Sequence, residues 1–520
     1  MNQRAAARDQ RLQFNVLSNL SASVWLATVT LLAVPVLYRT LGPDHYAVVG
    51  FFLLAIQWVA FLDLGLSPAL GRFAAQQNRP GGSLAKLRFL LSRFELMNVG
   101  LALLLMGLGA VMLQPGGSLQ NQWQLGAVLV DNIGLMLLGT VALRLIANLY
   151  RAGLTGLELQ GRVSFINSIT ISLRLGVPIL LAAFGSLTLF IFFLVQLLVG
   201  LLEATILRWQ LSRVLGSQQL PIEPQEIRRH ALLGISIAGL GLLWICGLQI
   251  DKLVMSTTLT ATQFGHYTLA IQIASAVTLL TAPLQTAVLP RITAQLAAGE
   301  NRQTAQTYTL SCLLCTAIGL AATTAILVCG EQLVSLIVGT GGNSGTEIGN
   351  VPETSVDLVS TDLHLVIAIY VFSNAMVAVM ALSYALQNAV GDLRWHWLGT
   401  VMLAAIQMPL LYTVAQRGDI QLMAQVYLAT MLGYVLLWLP QGHSRYLHGG
   451  HWRWLRTALL RPLAFGLPVA ALVLWMSAGQ ASVLTKLAQG GVAFLLVASA
   501  TALSNSAIRQ WLYVRLGRSA

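Results

Sequence analysis

Long apolar stretches separated by short polar gaps run along almost the whole chain. A helix that crosses a bilayer needs roughly 20 mostly apolar residues, and about 14 stretches meet that length. Backbone groups in hydrocarbon must hydrogen-bond internally, so a chain crosses as helices or as a closed barrel. Barrel strands alternate apolar and polar residues, and these stretches do not. The pattern predicts an all-α polytopic membrane protein.

The predicted helices form two sets of six and a final pair. The first set lies near residues 16–38, 45–71, 89–113, 124–147, 163–184 and 186–207. The second set lies near 231–255, 266–289, 308–329, 363–388, 396–415 and 420–440, and the final pair near 458–478 and 483–504. We expect an N-terminal lobe at 1–214, a C-terminal lobe at 215–441 and an additional helix pair at 442–520.

Composition and charge favour a membrane setting over a nucleic-acid partner. Hydrophobic residues make up 56% of the chain and charged residues 9%, whereas soluble domains are about 25% charged. The formal charge is +12, but the basic residues stand at the ends of apolar stretches instead of on one polar face. We interpret them as topology signals and contacts with anionic membrane lipid, and we expect no nucleic acid.

The gaps that hold these basic residues alternate along the chain. Those after the even-numbered helices contain Arg72, Arg79, Lys86, Arg88, Arg151, Arg162, Arg208, Arg213, Arg228, Arg229, Arg291, Arg302, Arg394, Arg445, Arg453 and Arg456. Cytoplasmic loops carry the excess of Lys and Arg, so both termini are predicted to be cytoplasmic. The longest gap on the opposite side, near 330–362, has acidic residues and no Lys or Arg, and we expect a flexible linker there.

One internal repeat is visible. Residues 42–76 resemble residues 263–295, and a His-Tyr pair beginning at His45 or His266 lies near the start of each copy. Because six helices separate the copies, both have the same orientation, which indicates a parallel repeat about an axis along the membrane normal. Two such lobes are expected to surround a central cavity.

The first predicted helical hairpin carries a recognisable pattern. Asn15, Asn19 and Ser23 precede the segment LYRTLGPDHYAVVGFF, and LDLGLSPALGRFAA follows at the cytoplasmic end of helix two. In this pattern and in its architecture the chain resembles the multidrug/oligosaccharidyl-lipid/polysaccharide (MOP) exporter superfamily, in particular its polysaccharide-biosynthesis branch of O-antigen (Wzx-type) flippases. Members usually have Gly soon after the Tyr of the turn, where this chain has Ala47.

The resemblance implies a transporter, not an enzyme, of the bacterial inner (plasma) membrane that works by alternating access. The implied substrate is an oligosaccharide on an undecaprenyl-type lipid pyrophosphate, moved from the cytoplasmic to the outer leaflet during O-antigen, capsule or exopolysaccharide synthesis. Coupling to H+ or Na+ is expected, as are polysaccharide polymerase and chain-length proteins as partners. No other cofactor and no structural metal is expected.

Arg174 is the leading candidate for a substrate contact. It lies about eleven residues into predicted helix five, near mid-bilayer, where an ionisable residue costs about 2.5–3.5 kcal/mol and asks for a reason. A guanidinium offers paired donors to phosphate oxygens, so we hypothesise that Arg174 binds the pyrophosphate. The alternative is a structural ion pair with a carboxylate on a neighbouring helix, such as Asp131 or Glu203.

Four further basic residues are candidates with simpler alternatives. Lys252, near the outer end of helix seven, and Arg39, at the outer end of helix one, are predicted substrate contacts, although Lys252 could instead pair with Asp251. Arg72 and Arg291 hold matching places in the repeat and are predicted to form a basic cytoplasmic entrance. The alternative is that this pair serves only as positive-inside signals.

Three carboxylates, Asp63, Asp131 and Asp251, are predicted sites for a coupling ion if they are buried. They also keep open a second function, a multidrug and toxic-compound cation antiporter of the same superfamily, which needs deep carboxylates. A membrane glycosyltransferase or polymerase is disfavoured, because it needs a catalytic outer loop and the one long loop has the composition of a linker.

Overall fold

The computed structural model describes residues 2–78, 82–112, 132–338, 353–447, 450–479, 482–505 and 509, with the backbone alone before residue 25. Almost all of these residues are helical, and this part of the chain contains no strand. Ten helices within it are long and apolar enough to cross a membrane. The all-α polytopic class predicted from the apolar stretches is confirmed, and the chain is a multi-pass membrane protein.

Helix packing divides the chain into two compact units, Met1–Thr268 and Leu269–Ala520. The helices of the first unit are α1 (Asn2–Leu62), α2 (Leu66–Gln77), α3 (Leu84–Met112), α4 (Asn132–Gly156), α5 (Gln160–Ala183), α6 (Leu189–Leu215) and α7 (Pro224–Thr258). Within α1 the non-helical backbone of Gly42, with φ of 77°, joins two helices, at the boundary between predicted spans one and two. Helix α8 (Ala261–Ala274) runs across the boundary between the units. The lobe boundaries expected at 214 and 441 stay predictions.

The second unit continues with α9 (Ala276–Ala297), α10 (Asn301–Val338), α11 (Glu353–Val390), α12 (Arg394–Ala415), α13 (Ile420–Gly433), α14 (Leu439–Tyr446), α15 (His451–Trp454), α16 (Arg461–Ser477) and α17 (Val483–Leu503). Two π-helical segments, Tyr434–Trp438 and Leu455–Leu460, join α13 to α14 and α15 to α16. Helix α10 packs along α11 and α17. At the first contact Gly319 faces Ala375 so closely that a β-carbon at Gly319 would lie 2.1 Å from that of Ala375.

Two predicted spans are interrupted where the sequence indicated continuous helix. Span two, near 45–71, breaks at residues 63–65 between α1 and α2, where Leu64 and Gly65 have positive φ angles of 49° and 80°. Span eight, near 266–289, breaks between α8 and α9. Apolar residues flank both breaks, so hydropathy averaged over a span gave no signal of them, although Asp63 and Gly65 stand at the first.

The linker expected near 330–362 is shorter than predicted. Helix α10 extends to Val338 and helix α11 begins at Glu353, while residues 339–352 lie outside the described part of the chain. The apolar residues of EQLVSLIV let α10 continue beyond the expected end, since an apolar face can still pack there.

A shared apolar core holds the inner helices of the first unit together. It contains Phe73 of α2, Phe94 of α3, Leu154 of α4 and Leu211 of α6, all fully buried or nearly so. Gly156 allows α4 to approach α2, because a β-carbon there would meet the carbonyl oxygen of Gly71 at 2.2 Å. This packing fixes α4 beside α6, which is where the charged residues of the unit meet.

Candidate functional site

Helix α4 carries two arginines on one face. Arg144 and Arg151 are seven residues apart, which is close to two turns of an α-helix, so their side chains leave the helix in nearly the same direction. Both side chains reach the same carboxylate on α6, that of Glu203. Asn148, one turn from Arg151, accepts a hydrogen bond of 2.6 Å from its Nη1 and helps to orient it.

Glu203 is the centre of the arrangement. Its Oε2 accepts hydrogen bonds from Arg144 Nη1 and Arg174 Nη2, each at 2.9 Å, and its Oε1 contacts Arg151 Nη2. The carboxylate is 1% exposed. Three guanidinium groups from α4 and α5 therefore converge on one buried carboxylate of α6, and we call Arg144, Arg151, Arg174 and Glu203 the arginine cluster.

Gln196 of α6 forms hydrogen bonds with both the side chain and the backbone of Arg174. Its Nη1 donates to Gln196 Oε1 at 3.2 Å and to the Gln196 carbonyl oxygen at 3.3 Å, and Gln196 Nε2 donates to the Arg174 carbonyl oxygen at 2.9 Å. The Nε of Arg174 is buried and has no hydrogen-bond partner. Arg174 therefore keeps one unused N–H donor in a side chain that Gln196 and Glu203 hold in place.

The arginine cluster carries unbalanced charge. Three guanidinium groups, which stay protonated in proteins, face one carboxylate, so two positive charges are in excess. The side chains of Arg144 and Arg151 are 20% and 26% exposed, whereas that of Arg174 is 7% exposed. The excess charge is therefore accessible on the α4 side, where the cluster can accept an anionic group.

Arg174 forms an ion pair with a carboxylate on a neighbouring helix, which is the alternative to a substrate contact that the sequence left open. The partner is Glu203, whereas Asp131 lies outside the described residues. The ion pair leaves the predicted contact between Arg174 and substrate untested, and that contact stays a prediction.

Lys252 and Asp251 form the ion pair that the sequence offered as the alternative to a substrate contact. Lys252 Nζ lies 3.0 Å from Asp251 Oδ1 and donates to the Leu248 carbonyl oxygen at 2.8 Å. Asp251 is fully buried, and its Oδ2 accepts a hydrogen bond of 2.8 Å from the Tyr267 hydroxyl. Tyr267 belongs to the His-Tyr pair of the second repeat copy.

The other predicted residues lie in two kinds of surroundings. Arg39, Arg72 and Arg291 are exposed on α1, α2 and α9, positions suited to contact with headgroups or water. Asp63 is buried at the break between α1 and α2, where its carboxylate caps the first turn of α2 by accepting from Ser67 N at 2.7 Å. Their predicted roles in the entrance, the exit and ion coupling stay predictions.

Arg144 and Arg151 are the site residues that sequence reasoning missed. Arg151 was assigned to a cytoplasmic gap, but α4 extends to Gly156 and places it within the helix. The helix therefore ends nine residues after the predicted end of the span at 147, and the cytoplasmic placement of Arg151 stays a prediction. The available signal was the seven-residue spacing of two arginines next to an apolar stretch.

Comparison with known proteins gives one family match in sequence. Residues 154–341 match the model of the family described as polysaccharide biosynthesis protein. No curated protein sequence matches the chain. The matched segment includes Arg174 and Glu203 and ends at residue 341, three residues beyond the end of α10 as the structure describes it.

Solved structures extend the comparison to the whole chain. The lipid II flippase MurJ, in an inward closed conformation, superimposes with a TM-score of 0.64 at 10% identity and covers 98% of this chain and 99% of its own. The chain has the MOP exporter fold. The resemblance to this superfamily expected from the sequence is thereby confirmed at the level of the fold.

Two further MOP structures agree with this assignment. An inward-facing multidrug resistance MATE family transporter matches with a TM-score of 0.61 at 15% identity, over 83% of this chain and 98% of its own. A MOP superfamily transporter from Pyrococcus furiosus, described as having a binding pocket of reverse polarity, matches with a TM-score of 0.57 at 15% identity, over 84% and 95%. At these identities the likeness concerns the MOP fold.

Proposed function

We propose that this protein is a flippase that moves a lipid-pyrophosphate-linked oligosaccharide from the cytoplasmic to the outer leaflet of a bacterial inner membrane. The observation that carries the proposal is the arginine cluster, whose two excess positive charges lie within the helices of a MOP fold. The match of residues 154–341 to a polysaccharide biosynthesis family supports a saccharide as the cargo.

The chemistry of the cluster fits a phosphate group. Excess charge inside a membrane protein is costly and calls for an anion to balance it. Guanidinium groups bind phosphate oxygens through paired, charge-assisted hydrogen bonds. In the proposed complex the pyrophosphate lies against Arg144 and Arg151 from the accessible side, while Glu203 and Gln196 keep Arg174 in place behind them.

The extent of the fold match also supports a flippase. The MurJ structure covers 98% of this chain, whereas the MATE structure covers 83%. The share without a MATE counterpart is about as long as the additional helix pair proposed at 442–520. With a lipid-linked saccharide as the cargo, the proposed partners are polysaccharide polymerase and chain-length proteins.

The competing function is a multidrug cation antiporter, and the observation in its favour is the pair of buried carboxylates, Asp63 and Asp251. Asp251 is already paired with Lys252, which leaves less negative charge for a cationic drug. The arginine cluster repels such a substrate. Efflux of ethidium from cells that overproduce the protein measures this activity directly.

The test of the flippase compares three forms of the protein in a flippase-deficient strain: wild type, the double variant Arg144→Gln with Arg151→Gln, and Arg208→Gln. The double variant leaves Glu203 paired with Arg174, so the fold keeps a neutral ion pair. Arg208 is the matched control, because it is an exposed arginine that pairs with Glu95 at 2.7 Å. Abundance in the membrane is measured for all three.

We expect wild type and Arg208→Gln to restore surface glycan and the double variant to fail at equal abundance. Binding of a short-chain polyprenyl pyrophosphate to the purified double variant should weaken by at least about 100-fold, since each of the two lost hydrogen bonds to a charged group contributes ~1.5–3 kcal/mol. Full export by the double variant, or ethidium efflux without glycan export by wild type, would contradict the proposal.

A further inference from the structure

Three of the eight histidines of the chain stand within nine residues, in the segment HSRYLHGGH that begins at His443. Short histidine-rich segments are typical of metal binding, because the neutral imidazole is a common metal ligand. The segment connects α14 to α15, and its histidines are His443, His448 and His451. His448 lies outside the described residues, so the site is built from His443 and His451 alone.

The two described histidines approach each other through ring nitrogens. Nδ1 of His443 lies 3.1 Å from Nδ1 of His451. Two nitrogen lone pairs repel each other at this separation unless a positive species lies between them, which is either a shared proton or a metal ion. Zn2+ binds imidazole nitrogens at about 2.0–2.1 Å in tetrahedral geometry, which places two such nitrogens about 3.3 Å apart. The two Nδ1 atoms are therefore close to the separation that a shared zinc ion requires.

Tyr308 of α10 orients one of the two imidazoles. Its hydroxyl lies 2.8 Å from Nε2 of His443, and both side chains are buried. A metal-binding histidine generally donates its other ring N–H to an oxygen atom, which fixes the tautomer and the orientation of the ring. Donation from Nε2 of His443 to the Tyr308 oxygen leaves the lone pair on Nδ1, the atom that approaches His451.

The surroundings of the pair combine tight packing with access to water. Trp454 packs against both imidazoles, with ring centroids 4.5 Å from that of His443 and 5.5 Å from that of His451. The π-helical segments Tyr434–Trp438 and Leu455–Leu460 stand before and after the two histidines, and π-helical turns are frequent at functional sites. His451 is only half-buried, so water can reach an ion bound between the two rings.

We propose that His443 and His451 bind a divalent transition-metal ion with the ligand preference of Zn2+. Imidazole nitrogen suits Zn2+, Cu2+ and Ni2+, whereas Mg2+ and Ca2+ prefer oxygen ligands. Among the described residues no group of three or more His, Cys, Asp or Glu side chains could hold a metal, so the two imidazoles are the protein ligands and waters complete the coordination. A bound ion here is contrary to the expectation, drawn from the sequence, of no structural metal.

The ion carries its positive charge beside a basic segment, and this repulsion limits its affinity. Arg445 and Arg453 lie two residues from His443 and His451 in the chain, and both are exposed, where water and salt screen their charge. In return the ion meets two nitrogens that the fold already holds together, so little ordering is needed to bind it. The bound ion joins α14 to α15 and thereby stabilises the connection between α13 and α16.

The test measures the Tm of the purified full-length protein in detergent, followed by tryptophan fluorescence. The protein is produced without a polyhistidine tag and is freed of metal with EDTA, and zinc chloride is titrated with magnesium chloride in parallel. The variants are His451→Gln, which removes one ligand, and Tyr308→Phe, which removes the hydroxyl that orients the other. His45→Gln is the matched control, because His45 is an exposed histidine whose Nδ1 lies 3.0 Å from the Leu41 carbonyl oxygen of its own helix.

We expect Zn2+ to raise the Tm of wild type and of His45→Gln in a saturable way, and Mg2+ to have no such effect. In His451→Gln the Zn2+ response is lost. In Tyr308→Phe the half-saturating Zn2+ concentration rises about 10-fold or more, since loss of a partner that orients a ligand lowers metal affinity by about 10–100-fold.

Zinc retained after dialysis against micromolar zinc chloride is measured on wild type by elemental analysis, and one zinc per chain is expected. This measurement decides if His451→Gln does not fold. Retention of much less than one zinc per chain, equal responses to Zn2+ and Mg2+, or a full Zn2+ response in His451→Gln would overturn the proposal and leave a hydrogen-bonded imidazole pair. No part of this test depends on glycan transport.

Discussion

The two units bury different kinds of polar group. In the first unit the buried polar side chains include the charged residues Arg174, Glu203, Asp63 and Asp251. In the second unit they are mostly neutral hydroxyls, amides and imidazoles, and Lys486 is the buried charged residue among those described. Its ammonium group is satisfied by the carbonyl oxygen of Ser477 at the end of a helix. The units carry copies of one sequence repeat, yet the chemistry suited to a charged ligand is concentrated in the first.

The difference concerns what the buried polar groups of each unit do. Residues that only hold helices together need no net charge, and α10, α11 and α17 are packed by apolar and small side chains. Charge in a membrane span is retained where it has a task, because its removal from water is costly. The two units therefore differ in how much charge they bury, and the following substitutions test what that difference means for stability.

The largest effect is expected from Glu203→Gln. This substitution leaves three arginines without their carboxylate, and removing one partner of a buried ion pair typically costs ~3–5 kcal/mol. The free energy of unfolding in detergent, or the Tm where unfolding is irreversible, measures the loss. The second unit offers the control Gln407→Leu, because Gln407 is fully buried and both of its amide atoms lack partners.

Gln407→Leu should leave stability unchanged or raise it, since replacing an unsatisfied polar group by an apolar one of similar size removes a desolvation cost. Equal losses in Glu203→Gln and Gln407→Leu would contradict the proposed division between the units.

An intermediate effect is expected at the imidazole cluster of the second unit. The Tyr308 hydroxyl lies 2.8 Å from His443 Nε2, and His443 Nδ1 lies 3.1 Å from His451 Nδ1. Tyr308→Phe leaves a buried imidazole nitrogen without its partner, which costs ~1–3 kcal/mol. Thermal unfolding measures the loss, and Tyr384→Phe, at a more exposed tyrosine, serves as the control with little expected change. A loss as large as that of Glu203→Gln would show that neutral networks matter as much as charge.

The smallest effect is expected at the polar turn between α11 and α12. A hydrogen bond of 2.8 Å from the Tyr446 hydroxyl and one from the backbone N–H of Arg394 lower the pKa of the exposed Asp392 carboxyl group. A carboxyl group with a lowered pKa contributes stability above its ordinary pKa of about 4, and this contribution is lost as pH falls through the lowered value.

Tyr446→Phe should therefore make the fall in Tm at acid pH slightly smaller. Asp392→Asn should reduce this fall in Tm by a similar amount. If Tm falls at acid pH in both variants as it does in wild type, the turn contributes nothing to the pH dependence of stability. The measurement is a series of Tm values across acid pH for wild type and the two variants.

Much of the fold could be predicted because membrane helices leave a direct signal in composition. Helix α3 begins five residues before the predicted start near 89, and α17 begins at the predicted residue and agrees within one residue at its end. The breaks at 63–65 and before α9 could not be predicted in this way. They depend on backbone angles at Leu64 and Gly65 and on hydrogen bonds such as that of Asp63, which a continuous apolar stretch conceals.

Only part of the candidate site was accessible from the sequence. Arg174 stood out because a single charged residue near mid-bilayer is conspicuous. Arg144 and Arg151 did not, because their importance arises from the packing of α4 beside α6, and packing partners are not encoded in a linear pattern. Glu203 could be named as one alternative partner but not selected over Asp131 without the helix contacts.

If the proposed transport moves the helices of the arginine cluster across the membrane, its excess charge would make that movement sensitive to voltage. A charge that moves across the whole membrane potential changes in energy by about 2.3 kcal/mol for each 100 mV. The cluster joins α4, α5 and α6 through Glu203, so displacement of these helices along the membrane normal carries two uncompensated charges through part of that field. An inside-negative potential accordingly favours the conformation in which α4, α5 and α6 lie nearer the cytoplasm, and an anion bound to the cluster reduces this electrical bias.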